Sequence, residues 1–174
     1  MAQSDTERFE ALILPHLDAA YTLARYMLRD EHDAQDAVQD AALRAFRYFT
    51  SYRGGDARAW FLTIVRNCCQ TWRGRNAAER LNVSLVEDHV LRVRDSEETD
   101  ATAIDQSERE AITRAVGSLP VEFREVIVLR ELQEMSYAEI SDITGVPVGT
   151  VMSRLSRARK RLATMLGTQA MEAS

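Results

Sequence analysis

Apolar residues recur along most of the chain at intervals of three and four, which is the spacing of amphipathic α-helices. In residues 137–161 this spacing predicts two helices separated by a short turn. Gly145 suits that turn, and Pro147 suits the first turn of the second helix, where a backbone N–H has no helical partner anyway. One side of the second helix is apolar and can pack on a neighbouring helix: Val151, Leu155, Ala158 and Leu162.

The opposite side of that second helix carries hydroxyl and guanidinium groups and no carboxylate. Arginine can form two hydrogen bonds with the edge of guanine, and serine, threonine and arginine can hold phosphates. A solvated basic helix end is the alternative, because basic residues favour helix C-termini in any protein. Since the turn and both sides agree, residues 137–161 are interpreted as a helix-turn-helix that reads DNA. Its candidate contacts are Thr150, Ser153, Arg154, Arg157 and Arg161.

Residues 1–76 contain three further amphipathic segments, at about 6–28, 33–49 and 57–75. They predict three helices, with a kink at Pro15 inside the first. The inner side of the second helix is formed by small and apolar residues: Ala34, Val38, Ala41, Ala45 and Phe49.

The outer side of the second helix has acidic residues first and basic residues last. That order complements the helix dipole and allows ion pairs such as Asp40–Arg44, so the charges alone require no function. Leu43 is not explained in this way, because it falls beside Gln39 and Asp36, away from the inner side. An exposed leucine flanked by acidic residues is typical of a protein-binding surface.

The third helix is rich in arginine and follows a loop with two glycines, TSYRGGDA. Trp60 falls on the polar side of this helix, where it can either stack on a base or pack under the loop. The loop itself fits either a close approach of backbone to an extruded base or an ordinary helix–helix turn. The inner side is apolar: Phe61, Leu62, Val65, Cys69 and Trp72.

A net charge of −5 is unfavourable for DNA binding, but the charge is unevenly distributed. Residues 77–107 hold eight acidic residues and three arginines, which accounts for the whole excess. Residues 44–75 hold seven arginines and one acidic residue, and residues 147–161 hold five basic residues and no acidic one. Since residues 77–107 show no sustained amphipathic period, they predict a flexible acidic linker, in which 82–93 can form a short element.

The composition argues against several classes of protein. No apolar run approaches the roughly 20 residues of a membrane span, and the N-terminus is polar, so we expect a cytoplasmic protein without membrane insertion. Cys68 and Cys69 are neighbours on a helix and point about 100° apart, which predicts buried thiols rather than a disulfide. Because no metal-ligand spacing, phosphate-binding loop or nucleophile–base pair is recognisable, we expect no metal, no cofactor and no catalytic residue.

Three sequence blocks in order carry a family resemblance: DAQDAVQDAALRAFRYF, DARAWFLTIVRNCCQTWRGR and LPVEFREVIVLRELQEMSYAEISDITGVPVGTVMSRLSRARKRL. They resemble an extracytoplasmic-function (ECF) sigma factor of the sigma-70 family, over about residues 8–76 and 108–166. The resemblance implies a region 2-like domain at 1–76, a linker at 77–107 and a region 4-like helix-turn-helix domain at 108–174. The expected fold is therefore all-α, with two small helical domains. Ala37 departs from the family pattern, which often has a larger aliphatic residue there.

The resemblance also implies the partners and the residues that contact them. Core RNA polymerase would be bound through its β′ clamp helices and its β flap, promoter DNA at its −10 and −35 elements, and an anti-sigma factor would hold the protein inactive. The apolar residues Phe123, Val126, Ile127 and Leu132 would lie mostly in the core of the second domain. Carried over position by position, the contacts are Asp36, Gln39, Asp40 and Leu43 for core polymerase; Arg53, Gly54, Asp56, Trp60, Arg66, Asn67 and Thr71 for the −10 element; and the five helix-turn-helix residues given above for the −35 element.

The sequence thus predicts an alternative sigma factor that directs core polymerase to specific promoters, helps to melt the −10 region and makes no bonds itself. Stress response is the expected setting. Two other functions stay open. A polymerase-binding adaptor would bind core without initiating transcription. A stand-alone helix-turn-helix repressor or activator would leave the first domain unexplained and would need a dimer and a palindromic site.

Overall fold

The computed structural model describes residues 4–82 and 103–172, and these are helical apart from short connections. No strand occurs in either described range, so the expected all-α fold is confirmed. Two 3₁₀ turns, Leu14–His16 and Phe49–Ser51, and a π-helical segment, Val128–Leu132, connect some of the helices. The α-helices are α1 (Asp5–Ile13), α2 (Leu17–Leu28), α3 (Glu31–Arg47), α4 (Ala57–Asn82), α5 (Ala103–Gly117), α6 (Val121–Ile127), α7 (Tyr137–Thr144) and α8 (Val148–Glu172).

Pro15 divides the first helix into α1 and α2. Helix α1 begins with a capping box, in which the Ser4 hydroxyl accepts from the Glu7 N–H at 3.2 Å and the Glu7 carboxylate accepts from the Ser4 N–H at 3.1 Å. Pro15 then lies in the tight turn Leu14–His16, because its ring and missing N–H interrupt the α-helical bonding. The kink predicted at this proline is confirmed.

Small residues let α3 pack closely on α2 and α4. Asp30 starts α3, with its carboxylate accepting from the Asp33 N–H at 2.9 Å. Phe49, predicted as the last inner residue of this helix, is buried in the following 3₁₀ turn instead. Short side chains shorten the distance between helix axes, and Ala37 is fully buried in this contact. The buried side of α3 is formed by Ala34, Ala37, Val38, Ala41 and Ala45.

Helix α4 runs through the centre of the first domain and continues past the predicted end at residue 75. Its inner residues Phe61, Leu62, Val65 and Cys69 are fully buried, and Trp72 is half-buried. Because α4 ends at Asn82 and α5 begins at Ala103, both helices extend into the predicted linker 77–107. The possible short element at 82–93 lies, apart from its first residue, outside the described residues.

The prediction that Leu132 lies in the core of the second domain is wrong. Val126 and Ile127 are buried and Phe123 is partly buried, as expected, but Leu132 is about half exposed. The reason is the π-helical segment Val128–Leu132, whose wider turn displaces side chains from the α-helical pattern. Met135, beyond that segment, is fully buried.

The predicted helix-turn-helix is confirmed as α7 and α8. Ser136 caps α7, accepting from the Glu139 N–H at 3.1 Å while its own N–H donates to the Glu139 carboxylate at 2.7 Å. Gly145 ends α7 with φ +73°, a left-handed conformation that costs a residue with a Cβ about 1–2 kcal/mol. The inner face of α8 is buried, as the spacing predicted: Val151, Leu155 and Ala158, with Leu162 partly buried.

The two helical units pack against each other. Buried residues of α2 and α4 are contiguous with those of α6 and α7, so the described residues share one apolar core. Among the residues that the structure describes, every helix is too short or too polar to cross a lipid bilayer.

Candidate polymerase and DNA interfaces

An acidic surface with an apolar centre lies on the outer side of α3. We call Asp36, Gln39, Asp40 and Leu43 the α3 patch; their spacing of three and four residues places them on one face of the helix. Leu43 is 65% exposed, which makes it the most exposed large apolar side chain in the described part of the chain. Asp40 is paired with Arg44 at 3.1 Å, as the spacing predicted. The patch therefore offers an uncovered apolar contact beside two carboxylates, one of which is paired with Arg44.

The glycine loop before α4 is closed by a hydrogen bond between two of its own residues. Gly54 and Gly55 have φ of +92° and +94°, which side chains with a Cβ rarely adopt. The Tyr52 hydroxyl donates to the Gly55 carbonyl at 2.6 Å, across the base of the loop. Arg53 is exposed. The glycines are thus required by the backbone of the turn, which was one of the two explanations left open.

Asp56 connects the loop to α4. Its carboxylate accepts from the Ala59 N–H at 3.1 Å, and its carbonyl accepts from the Trp60 N–H, so it caps the helix. Burial alone would raise the pKa of Asp56. Hydrogen bonds with the Ala59 N–H, the Glu139 side chain and the Arg58 N–H lower the pKa by more than burial raises it, so the pKa of Asp56 is below its ordinary value. Asp56 therefore stays ionised at neutral pH and fixes where α4 starts.

Trp60 packs under the loop. Its ring lies 5.2 Å from the ring of Tyr52 and 6.3 Å from that of Phe49, measured between centroids. Phe49 in turn lies edge-on to Phe9 at 5.5 Å, so the loop rests on an aromatic cluster continuous with α1. The indole is half-buried. The structure therefore has Trp60 packed under the loop, with part of its surface still accessible.

The remaining candidates for −10 contact lie along α4, and one of them is already engaged. Asn67 and Thr71 are exposed one turn apart, with the Thr71 hydroxyl donating to the Asn67 carbonyl at 3.1 Å. Arg66 is directed at the second domain instead, where its guanidinium donates two hydrogen bonds to Glu125, at 2.9 and 3.1 Å. Sequence reasoning missed Glu125, because a lone glutamate on a mostly apolar helix gives no indication of a partner 59 residues away.

The candidate −35 contacts share the outward face of α8. Ser153, Arg157 and Arg161 are exposed, and Thr150 and Arg154 are half-buried. The Arg161 guanidinium lies 5.0 Å from the centre of the Phe123 ring, a cation–π contact that positions it beside α6. The five residues thus lie along one side of α8, and the half-buried Thr150 and Arg154 border its buried face.

Both cysteines are buried free thiols, as predicted. Burial raises the pKa of Cys68 to about 11 and that of Cys69 to about 12, from an ordinary 9.0. Because the thiolate is the reactive form, neither cysteine is suited to rapid oxidation at neutral pH.

We therefore expect the native protein at pH 8 to react with iodoacetamide at least ten-fold more slowly than the urea-unfolded protein, with mass spectrometry counting the modified thiols. The same shifts predict a fall in folding stability above pH 9, since the unfolded thiols lose their protons before the folded ones do. Labelling of the folded protein at the unfolded rate would contradict this account.

Within residues 4–82 and 103–172, no group of three or more His, Cys, Asp or Glu side chains is arranged to hold a metal ion.

Comparisons with known proteins define the class of the chain. The family model Sigma-70 region 2 matches residues 12–79, and the model Sigma-70, region 4 matches residues 109–162. The first covers α2, α3, the glycine loop and most of α4, and the second covers α6, α7 and the basic part of α8. All the candidate contact residues fall inside these two matches.

Curated relatives match nearly the whole chain. The ECF RNA polymerase sigma factor SigM of Mycobacterium tuberculosis is 38% identical over 164 residues, covering 94% of this chain and 79% of SigM. The ECF RNA polymerase sigma-E factor of Escherichia coli is 30% identical and covers 92% and 87%. The ECF RNA polymerase sigma factor SigE of Mycolicibacterium smegmatis is also 30% identical, and this chain spans 66% of its length.

Solved structures agree with these relatives. The sigma factor RpoE of Bartonella quintana, in complex with the anti-sigma factor NepR, superposes with a TM-score of 0.73 at 27% identity, covering 92% of this chain and 98% of that one. CnrH, in complex with the cytosolic domain of CnrY, gives 0.65 at 26% identity, covering 94% and 90%. The chain belongs to the ECF RNA polymerase sigma factors of the sigma-70 family, which are transcription regulators.

Proposed function

We propose that this protein is an alternative sigma factor that binds core RNA polymerase, directs it to promoters with matching −35 and −10 elements, and helps to open the −10 region. The combination of the exposed Leu43 on an acidic helix with a separate, basic helix-turn-helix carries the proposal. A plain DNA-binding regulator needs the second feature only. It has no use for an uncovered apolar contact on a second helical unit that does not belong to the helix-turn-helix.

The α3 patch would bind the polymerase clamp helices. Leucine in the centre gains most from being buried in an interface, while the surrounding carboxylates favour a basic partner and set the orientation. The surface of the second domain would meet the β flap. There the half-exposed Leu132 on the π-helical segment supplies an apolar contact that a closed domain core would have hidden.

The basic face of α8 would dock on the −35 duplex. Each bidentate contact of arginine with a base contributes about 1–3 kcal/mol of discrimination. Residues nearest the start of a recognition helix reach base edges, which favours Thr150, Ser153 and Arg154 as base readers. Arg157 and Arg161, further along, would hold phosphates.

The glycine loop and the outer side of α4 would receive unpaired −10 bases. Unstacking a base costs a few kcal/mol, and stacking on an aromatic or planar group returns about 1–3 kcal/mol. The accessible part of Trp60, with Arg53 and Gly54 at the loop and Asn67 and Thr71 along the helix, provides such a surface. Asp56 would contribute by fixing the loop, since its carboxylate caps α4.

An anti-sigma factor would regulate the protein by covering these surfaces, as the similarity to the sigma factor RpoE in complex with the anti-sigma factor NepR supports. The proposed location is the cytoplasm, where the polymerase is. With a net charge of −5, the free protein would bind promoter DNA weakly and would depend on the polymerase for tight binding.

Run-off transcription tests this proposal, with purified core polymerase and pooled fragments of the source genome, in the presence and absence of the protein. New discrete start sites that share a −35 and −10 pair are the expected result. Association with core without new starts would favour the adaptor function instead. Failure to associate with core, together with binding to a palindromic site as a dimer, would favour a stand-alone regulator.

A further inference from the structure

Two large apolar side chains near the start of α8 are exposed, although this part of the helix is otherwise polar and basic. Val148 is 40% exposed and Met152 is 52% exposed. Val148 is the first residue of α8, and a spacing of four residues makes Met152 its neighbour on one face of the helix. We call these two residues the α8 apolar pair. Val151 and Leu155, on the packed face of α8, are fully buried, so the pair lies outside that face.

The charge around the α8 apolar pair indicates a nucleic-acid partner. Residues 147–161 contain five basic residues and no acidic one. Single apolar residues scattered over a surface need no explanation, but these two are adjacent and lie within a strongly positive segment. Duplex DNA matches both properties, because its phosphates are negative and the C5-methyl group of thymine projects into the major groove.

The pair also lies at the end of α8 that reaches the bases. In a helix-turn-helix, residues near the start of the second helix contact base edges. A helix with its side chains is about 10–12 Å in diameter and the major groove is about 12 Å wide, so bases on both flanks of the helix come within reach. At about 100° per residue, Met152 points about 100° away from Ser153, the nearest of the candidate hydrogen-bonding contacts. The pair therefore faces a part of the groove that those contacts do not read.

Small residues let this part of α8 approach the bases closely. Gly149, Ser153 and Ser156 are exposed between the pair and the arginine side of the helix. A Cβ added at Gly149 would have nothing within 4 Å, so the space beside it is open. Further along the flank of the pair, Arg159 is paired with Glu131 at 2.7 Å. What this flank offers to a base is therefore apolar rather than a free cation.

We propose that the α8 apolar pair reads the C5-methyl group of a thymine in the −35 element. Met152 makes the contact, because its unbranched side chain adapts to an irregular surface, and Val148 supports it from the preceding turn. Cytosine lacks the methyl group and presents an amino donor in the groove, for which the pair has no acceptor of comparable strength, so T·A is selected over C·G at this position. The inference rests on the proposed function, since it adds a base-reading contact to the −35 surface.

Replacement of thymine by 2′-deoxyuridine tests the contact, because it removes only the C5-methyl group. The probe is a promoter found by run-off transcription, in which the thymines on both strands of the −35 element are replaced one at a time. Transcription with core polymerase and the full chain gives the protein concentration for half-maximal activity. We expect deoxyuridine at one position, or at two adjacent positions, to raise this concentration about 4-fold, the factor that corresponds to one buried methyl group.

Met152→Ala shows whether this side chain is the partner of the methyl group. On the thymine promoter the variant should need at least about 4-fold more protein, and deoxyuridine at the sensitive position should then have no further effect. Val148→Ala should weaken the response at that same position and at no other. Ile112→Ala is the matched control, since Ile112 is 49% exposed on α5, outside the helix-turn-helix, and this variant should respond to deoxyuridine like the unmodified protein.

Three results would overturn the inference while leaving start-site selection intact. Deoxyuridine could be without effect at every position. A sensitive position could stay sensitive in Met152→Ala, which would assign the methyl contact to another residue. Met152→Ala could weaken all promoters equally without any response to deoxyuridine, which would assign the pair to a protein partner such as the polymerase. Absence of any new start site with the unmodified protein would instead refute the proposed function, and the inference with it.

Discussion

Replacing Leu43 with aspartate is expected to lower promoter-directed transcription by about 100-fold while leaving the protein folded. At 65% exposure Leu43 contributes little to the core, and surface substitutions usually change stability by less than 0.5 kcal/mol. In the proposed interface with polymerase it is the central apolar contact, and loss of such a residue costs about 2 kcal/mol or more. A new carboxylate would also lie beside Asp36 and Asp40, where it adds like-charge repulsion.

Leu14→Asp is the matched control for this prediction. Leu14 lies in the same domain and is 48% exposed, but it belongs to the turn after α1 rather than to the α3 patch. Gel filtration with core polymerase should show binding for Leu14→Asp and none for Leu43→Asp, with matching run-off results. If the two variants behave alike, the α3 patch is not the polymerase-binding surface.

Local patterns were sufficient to predict the helices of the first domain and the helix-turn-helix. The inner faces of α3, α4 and α8 consist of residues at three- and four-residue spacing, and burial follows that spacing because each helix packs on its neighbours along one stripe. Pro15 and Gly145 have effects that depend on their own backbone geometry, so the kink and the turn were also predictable. Leu43 could be recognised as exposed because it interrupts this pattern.

Features that depend on the other domain were not predictable in this way. Leu132 was assigned to the core on α-helical spacing, and the π-helical turn of Val128–Leu132 moves it outward. The pairing of Arg66 with Glu125 arises only when α4 and α6 come together, and nothing within a few residues of either specifies it. Helices α4 and α5 also extend into the predicted linker 77–107, as far as Asn82 and from Ala103.

The candidate contact residues fall into two groups: those that also have a structural role in the fold, and those that are exposed without one. Asp56 and Gly54 have a structural explanation in the capped loop, so their presence alone says little about DNA. Asn67, Thr71, Ser153 and Arg157 are exposed on their helices, which makes them the more informative candidates for nucleic-acid contact.

Arg154→Ala is expected to reduce transcription from a matching promoter by about 5- to 150-fold, which corresponds to the 1–3 kcal/mol of a bidentate base contact. Arg154 is half-buried about two turns into α8, close to the end of the helix that would enter the groove. Because a base contact distinguishes one base pair from the others, the variant should also lose its preference at one −35 position. A phosphate contact would instead weaken all promoters equally and reduce the salt dependence.

Arg159→Ala separates this specific loss from a general loss of positive charge. Arg159 is on the same helix, but its guanidinium is paired with Glu131 at 2.7 Å, and an exposed pair of this kind stabilises a protein by about 1 kcal/mol or less. Transcription from single-base variants of the −35 element, at two salt concentrations, measures both quantities for each protein. Equal losses for the two variants, with the base preference retained, would mean that α8 holds DNA by charge alone and that another element reads the sequence. A flattened preference confined to Arg154→Ala would instead establish α8 as the −35 reader, since general attraction to phosphates cannot distinguish base pairs.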